Sequence, residues 1–332
     1  MKKNLLGNSD LELSEIGFGT WAIGGGDWGM GWGDQDEPDS VACILEGLES
    51  GINWIDTAHA YGFGVAEIAV GKAIREYGSS DVIVATKCGV LPEHDNKPTR
   101  FISRKTILEE VEGSLRRLGR DYIDLYQIHW PNPPENLIEA WETLQELKKA
   151  GKIRWAGVCN CWEDDLEALQ VIAPITSNQP MYSMLDRSIE KEVLPWCELS
   201  NTGVLIYSPM HSGILTGKVS QQWLDDLPSN DWRKHKVDHP VVSPLHSKDG
   251  LQDFLILQEE LRSFAYKRSI TIGQLAVCWS LSHSGVTSAI VGARKKGQIL
   301  ETVKAVDSTL SEEEKKELMS YILKFENKQK NG

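Results

Sequence analysis

The sequence has no uninterrupted apolar run long enough to span a bilayer, and its opening residues, MKKNLLGNSDLELSEIG, hold two lysines but no apolar stretch of secretory-signal length. It also lacks a basic excess. Against 35 Lys and Arg stand 48 Asp and Glu, a formal charge of −13, which argues against duplex nucleic acid as a partner because phosphate binding needs a basic face. Cysteine is scarce and unpatterned: Cys43, Cys88, Cys159, Cys161, Cys197 and Cys278 are scattered, so a reduced, cytoplasmic compartment is expected. Cys159-Asn160-Cys161 is too tightly spaced for the usual zinc pair and has no second pair. The H-x-x-x-H from His235 to His239 runs straight into Pro240 and has no glutamate to complete a metalloprotease motif, so a solvated loop is expected there and no metal.

A working dinucleotide fingerprint is missing too. Gly24-Gly25-Gly26-Asp27-Trp28-Gly29 spells G-x-G-x-x-G, but that motif functions when its last glycine opens a helix whose amides hold a pyrophosphate. Here Met30-Gly31-Trp32-Gly33 and an acidic stretch follow, and no apolar helical period resumes before Val41. The segment reads as a loop carrying two indoles.

What is present is a globular composition, 41% hydrophobic and 25% charged, over 332 residues, enough for a large core. Short β-rich runs alternate with helical patterns: 15–23, 52–58, 82–87, 123–129, 153–160, 175–180, 204–209 and 287–293. Glycines at 51, 119 and 151 stand just past helical patterns, where a left-handed C-cap belongs. Eight such units are what a closed (β/α)8 barrel, a TIM barrel, requires, and residues 1–332 are read as one such domain. A doubly wound sheet is the rival that helix counting alone leaves standing. Outside the repeat lie an N-terminal hairpin over 3–13 that could cover one barrel end, a long polar insertion at 218–250 after the seventh strand, and a C-terminal helix opened by a Ser311–Glu314 capping box. Loops as long as that insertion are usually lids or disordered.

In such a barrel chemistry gathers at the carboxyl ends of the strands. The second strand ends in Asp56, with His59 and Tyr61 in the loop beyond; the third ends in Lys87 and the fourth in His129. A lysine ammonium beside a phenol favours the phenolate and lowers the phenol pKa from about 10, making it a usable proton donor. Asp56 would keep Lys87 charged, and His129 would orient a carbonyl oxygen toward the phenol. Such a site protonates an oxygen that gains charge as a hydride arrives at the carbonyl carbon. Singly, each residue has a plain structural role available, as ion pair, rim aromatic or turn histidine; it is their joint placement that points to chemistry.

These residues carry a resemblance. Gly17-Phe18-Gly19-Thr20-Trp21, Asn53-Trp54-Ile55-Asp56-Thr57-Ala58-His59-Ala60-Tyr61-Gly62, Ala85-Thr86-Lys87, Asp124-Leu125-Tyr126-Gln127-Ile128-His129 and Tyr207-Ser208-Pro209 resemble, in order, the signatures of the aldo-keto reductases. The resemblance implies a barrel that binds NADP(H) in extended form without a Rossmann domain, with Asp56, Tyr61, Lys87 and His129 catalytic and a small carbonyl or alcohol as substrate. It further implies that Gly19, Thr20 and Trp21 line the reacting ring, Asn160 and Gln179 hold the carboxamide, and Tyr207 stacks on the nicotinamide. Ser208, Pro209, Met210, Gly213, Leu215, Gly217 and Lys218 would follow the pyrophosphate, and Gly292, Arg294, Gln298, Glu301 and Thr302 the adenosine end. A guanidinium at Arg294 favours NADP(H) over NAD(H) through the 2′-phosphate; a solvated arginine beside Lys295 and Lys296 is the plainer alternative. Cys159 and Thr302 depart from the serine and asparagine common at those positions, which bears on cofactor affinity.

The glycine-rich loop then lies over the substrate. Trp21, Trp28, Trp32, Trp54 and Trp130 could wall the mouth, for a sugar face or a hydrophobic aldehyde. Two other functions compete with carbonyl reduction: a Schiff-base lyase using Lys87, and a cofactor-sensing subunit like the potassium-channel β subunits that resemble the same family. Buried and interface apolar residues look alike in sequence, so it sets no oligomeric state.

Overall fold

In the computed structural model, which describes residues 1–331, the eight anticipated strands form one closed parallel barrel. They are β1 (Ile16–Gly19), β2 (Trp54–Asp56), β3 (Ile83–Cys88), β4 (Ile123–Ile128), β5 (Ile153–Cys159), β6 (Ser177–Gln179), β7 (Gly203–Tyr207) and β8 (Ser288–Gly292). Ring closure is by β8 on β1, from Ala289 opposite Ile16 to Gly292 opposite Gly19. A closed ring leaves no unpaired edge, which removes the doubly wound alternative. Most strands stop short of the β-rich runs at their carboxyl ends, because Thr57, Ala58, His129 and Asn160 leave the ladder to enter the mouth loops.

Helices pack outside the barrel through apolar faces. Arg104–Leu118 is typical: Ser103 and Thr106 cap its start reciprocally, Ile107, Val111, Leu115 and Leu118 are buried at helical spacing, and Gly119 ends it at φ 67°. Gly51 and Gly151 take the same left-handed conformation past their helices, at φ 95° and 74°. Ser311 and Glu314 make the expected reciprocal cap at the start of the helix Glu312–Asn331.

The amino end of the barrel is closed by the N-terminal hairpin. Lys3–Leu5 pairs antiparallel with Glu12–Ser14, and Leu6, Leu11 and Leu13 are buried against Trp54, Ala85, Leu125 and Leu205 of the barrel interior. Trp54, read from sequence as a wall of the mouth, is instead at this end: fully buried, its indole N–H points to Ser14 O at 3.2 Å and Ser288 Oγ at 3.1 Å. Its ring occupies the space where a Cβ on Gly17 would sit, 2.1 Å away, so β1 needs glycine there. Strand alternation explains the difference, since Trp54 and Asp56 share a face of β2 but lie at opposite ends of the barrel axis.

Two other expectations change. The 218–250 insertion is neither a disordered nor a solvated loop but a small helical subassembly: Gln221–Asp225, Trp232–His235, the turn Ser243–His246, and the start of Lys248–Lys267. Ser220, Asp231 and Ser247 cap its helices, and Trp232, Val242 and Leu245 are buried beneath them. Its apolar residues are too widely spaced for any period to be read. The two imidazoles of the H-x-x-x-H part company: His239 packs edge-on to Trp232 with centroids 4.9 Å apart, and His235 is exposed. Between β3 and the helix Arg104–Leu118 stands a hairpin of Val90–Pro92 with Pro98–Arg100.

Truncating the plug tests this picture. Trp54→Ala is expected to cost about 3–5 kcal/mol, the range for a buried aromatic leaving a cavity, as a drop in the denaturant midpoint.

Candidate active site

Barrel register brings the predicted residues together. Asp56 closes β2, Lys87 is next to last in β3, His129 follows β4, and a tight turn after β2 (Tyr61 N–H to Ala58 O, 3.1 Å) swings the phenol back over the same mouth. Lys87 Nζ is the hub. It donates to both carboxylate oxygens of Asp56 at 2.8 Å, to Thr57 O at 2.9 Å and to Tyr61 Oη at 3.2 Å. Gln179 donates to Asp56 Oδ1 at 2.8 Å, and the Tyr61 and His129 rings meet edge-to-face at 5.7 Å.

The electrostatics follow from this burial. Desolvation pulls the Lys87 ammonium down, but Asp56, with Tyr61 and Cys159, more than offsets it, and the lysine is held charged well above its ordinary range. For Asp56 burial pushes the carboxyl up while Lys87 and Gln179 pull it back; with Lys87 charged and bonded to both oxygens, the pair is ionic. Tyr61 corrects an expectation. Burial raises the phenol above its usual pKa and Asp56 adds to this, outweighing the lowering by Lys87, so the hydroxyl is protonated throughout the neutral range. Burial, then the charges of Lys87 and Arg100, depress His129, which is therefore a neutral imidazole.

Around this core lie the residues expected at a nicotinamide ring. Asn160, at φ 57°, donates to His129 O at 3.0 Å and accepts from Tyr207 Oη at 2.9 Å. Thr20 Oγ1 donates to Asp56 O at 3.0 Å, and Gly19 lies in register with Asp56. Cys159 is buried in the same mouth, where burial raises its thiol and Lys87 lowers it.

Farther out, Ser208, His211, Ser212, Gly213 and Gly217 all have positive φ, between 48° and 88°. Pro209, Met210 and Leu215 belong to the same turn, with Leu215 N–H on Met210 O at 3.0 Å and exposed Lys218 just beyond. At the other end Gln298 Oε1 accepts the Arg294 and Lys295 amides, Glu301 O accepts from Gln274, and the Thr302 hydroxyl turns back onto Gln298 O at 3.0 Å. Arg294 is not a solvated arginine. Its guanidinium donates to Trp32 O at 2.6 Å, Gly33 O at 3.2 Å, Asp34 O at 2.6 Å and Gln35 Oε1 at 3.0 Å.

That clamp fixes the glycine-rich loop. From the other side the insertion holds it too, with Trp232 N–H on Gly31 O at 2.8 Å, an isolated bridge between Trp32 and Asp231, and Asn230 on Asp34. Trp21 stacks on Trp232 at 5.7 Å and meets Trp32 edge-on at 5.2 Å. Trp28 packs with Tyr61, Ala58, Ala60 and Val90, and Trp130 joins that group from beyond His129. The structure thus divides the tryptophans: Trp28 and Trp130 lie beside the phenol, whereas Trp32 belongs to the loop–insertion seam. Trp232 and Val90 were missed by sequence reasoning; the two tryptophans of the polar insertion, Trp223 and Trp232, were the one available signal.

A closed (β/α)8 barrel with an acid, an ammonium, a phenol and an imidazole gathered at its carboxyl mouth defines an enzyme-type barrel. The chain belongs to the aldo/keto reductase family, whose model matches residues 15–322. It is 39% identical over 324 residues to aldo-keto reductase YhdN of Bacillus subtilis, covering 97% of this chain and 94% of that one. It is 36% identical to the NADH-specific methylglyoxal reductase of Escherichia coli, over 94% of this chain and 95% of the relative. Among solved structures it is similar to the glycerol dehydrogenase AKR11B4 from Gluconobacter oxydans, with TM-score 0.85 and 35% identity over 98% of this chain and 96% of that one. It is therefore an oxidoreductase of carbonyl compounds using a nicotinamide cofactor.

Removing one member of the central pair isolates its energetics. Lys87→Met strands a buried carboxylate and is expected to cost about 3–5 kcal/mol in denaturant unfolding, much of it restored when Asp56→Asn is added. Equal stability of native protein and Lys87→Met would mean that the pair carries no such constraint.

Proposed function

We propose that this protein reduces a small aldehyde or ketone to the alcohol, with NADP(H) preferred over NAD(H) and Tyr61 as the proton donor. The observation that carries the reading is the single ammonium bonded to both Asp56 and Tyr61. The donor set suits a dinucleotide: the positive-φ turn from Ser208 to Gly217 and the exposed Lys218 offer amides and a cation to a diphosphate, and Tyr207 offers a ring face. When bound, the reduced cofactor supplies the hydride. The residues of the mouth do the rest. His129, neutral, donates a hydrogen bond to the carbonyl oxygen and aims it at Tyr61. Tyr61 transfers its proton as charge builds on that oxygen, and Lys87 stabilises the phenolate left behind at the cost of no new desolvation. One hydride and one proton add across C=O, giving the alcohol and the oxidised cofactor.

A Schiff base on Lys87 is disfavoured on the same geometry, because an ammonium held by a carboxylate has no lone pair for attack. A cofactor-sensing subunit is separated by turnover. The six free cysteines, all buried, support the cytoplasmic reading.

NADH use is the second reading. Arg294 spends its donors on loop carbonyls, so a 2′-phosphate has to compete for them, and the E. coli relative is named for NADH.

Tyr61→Phe is expected to lower turnover about 10²–10⁴-fold across an aldehyde, ketone and sugar panel, followed by cofactor absorbance. A raised phenol pKa makes the acid form persist, so reduction is flat through neutral pH, whereas alcohol oxidation, which needs the phenolate, climbs as pH rises. Oxidation that falls with pH would remove Tyr61 from the proton step. Arg294→Met is expected to weaken NADPH about tenfold or more with little effect on NADH; native protein that favours NADH establishes the second reading.

A further inference from the structure

The mouth hairpin carries a charge that the catalytic scheme leaves unused. Arg100 ends the strand Pro98–Arg100 and lies in register with Val90, which packs with Tyr61, Trp28 and Trp130. Its guanidinium sits over the Trp130 indole, 3.5 Å from the ring centroid. Among the described residues Arg100 has no ion-pair partner and donates no hydrogen bond to a protein acceptor, in a chain of net charge −13. Two other cations near the mouth are neutralised: Lys87 by Asp56, and Arg233 by Asp231 at 2.6 Å. Nor do the nearby carboxylates turn toward Arg100. Asp56 is taken by Lys87 and Gln179, and Asp186 accepts from the Ser188 amide and hydroxyl.

The charge nevertheless acts on the site. Arg100 is itself exposed at the rim, and its charge still reaches the mouth, where it helps depress His129 and His239 and lowers the Tyr207 phenol against the effect of burial. A guanidinium laid on an indole is already ordered, with its N–H fork free for an anion, and forks of this kind match carboxylate and phosphate oxygens in pairs. Trp130 itself packs against the apolar group that contains Tyr61, so the fork borders the site.

We propose that Arg100 anchors an acid group on the substrate, so that the preferred substrate is a short aldehyde or ketone bearing a carboxylate or phosphate, its carbonyl between Tyr61 and His129 and its anion beside Trp130. This rests on the reductase reading above and adds the substrate class to it. A neutral sugar or a long apolar aldehyde leaves the fork unpaired.

Matched pairs test it: succinic semialdehyde against butanal, and glyceraldehyde 3-phosphate against glyceraldehyde, in native protein, Arg100→Met and Arg100→Lys. The native enzyme is expected to show kcat/KM about tenfold or more in favour of the anion of at least one pair, and that pair tells carboxylate from phosphate. The advantage shrinks with added salt, falls to about one in Arg100→Met and is partly kept in Arg100→Lys. A native ratio near one in both pairs, or a ratio that survives Arg100→Met, overturns the proposal while leaving the reductase intact. No turnover of any of the four overturns the reductase reading instead. Titration of tryptophan fluorescence with succinate and with inorganic phosphate then decides the anion site, which stands if the native signal saturates and Arg100→Met gives none, and falls if the two proteins respond alike.

Discussion

The ion pair between Lys87 and Asp56 is the constraint on which the mouth of this barrel depends. Both groups are almost wholly buried, and a charge out of water persists only when its hydrogen-bonding capacity is met. Lys87 meets its own with two carboxylate oxygens, a backbone carbonyl and the Tyr61 hydroxyl, and these acceptors come from one strand and the turn after it. The turn that carries Tyr61 is therefore tied to the neighbouring strand by the group that tunes its phenol. Gln179 reaches Asp56 from β6 and makes the pair a bond across the barrel as well as along it. Position and electrostatics are one arrangement here: whatever holds Tyr61 in place also sets the energy of its anion.

A second layer decides how the mouth is covered. The glycine-rich loop has no helix of its own until Glu37, yet it is held by two neighbours distant in sequence, the insertion around Trp232 and the guanidinium of Arg294. Its glycines permit the close approaches this needs. A Cβ on Gly26 would sit 2.1 Å from Asn230, and one on Gly31 2.7 Å from Gly25 O. Because Arg294 belongs to the proposed adenosine end and Trp32 to the loop near the proposed substrate, one side chain joins the two halves of the site. Cofactor choice and loop position are linked through it in the proposed scheme.

The opposite end does purely structural work. The hairpin leucines and Trp54 fill the barrel interior below the mouth with apolar side chains. This division of labour is the usual logic of the fold, in which the amino face carries stability and the carboxyl face chemistry.

Much of this was legible from the chain alone. Eight β-rich runs separated by helical periods marked all eight strands, and Asp56, Tyr61, Lys87 and His129 stood at or just past strand ends, where barrel geometry makes side chains converge. Strand positions along the chain, the capping box at Ser311 and the helix-ending glycines depend on local patterning, and local patterning is what a sequence displays. What needed tertiary structure was everything set by contacts between distant segments. The phenol's raised pKa comes from burial, a property of the assembled mouth that no spacing reveals. Trp54 could be assigned to the wrong end because alternation gives a face and not a height along the axis. Arg294 resembled a solvated arginine or a phosphate ligand until its carbonyl partners, about 260 residues earlier in the chain, came into view. Sequence determined which groups are available and roughly where along each strand they lie; folding decided which are charged, which are paired, and which, like Arg100 over Trp130, keep hydrogen-bond donors that no protein acceptor among the described residues takes.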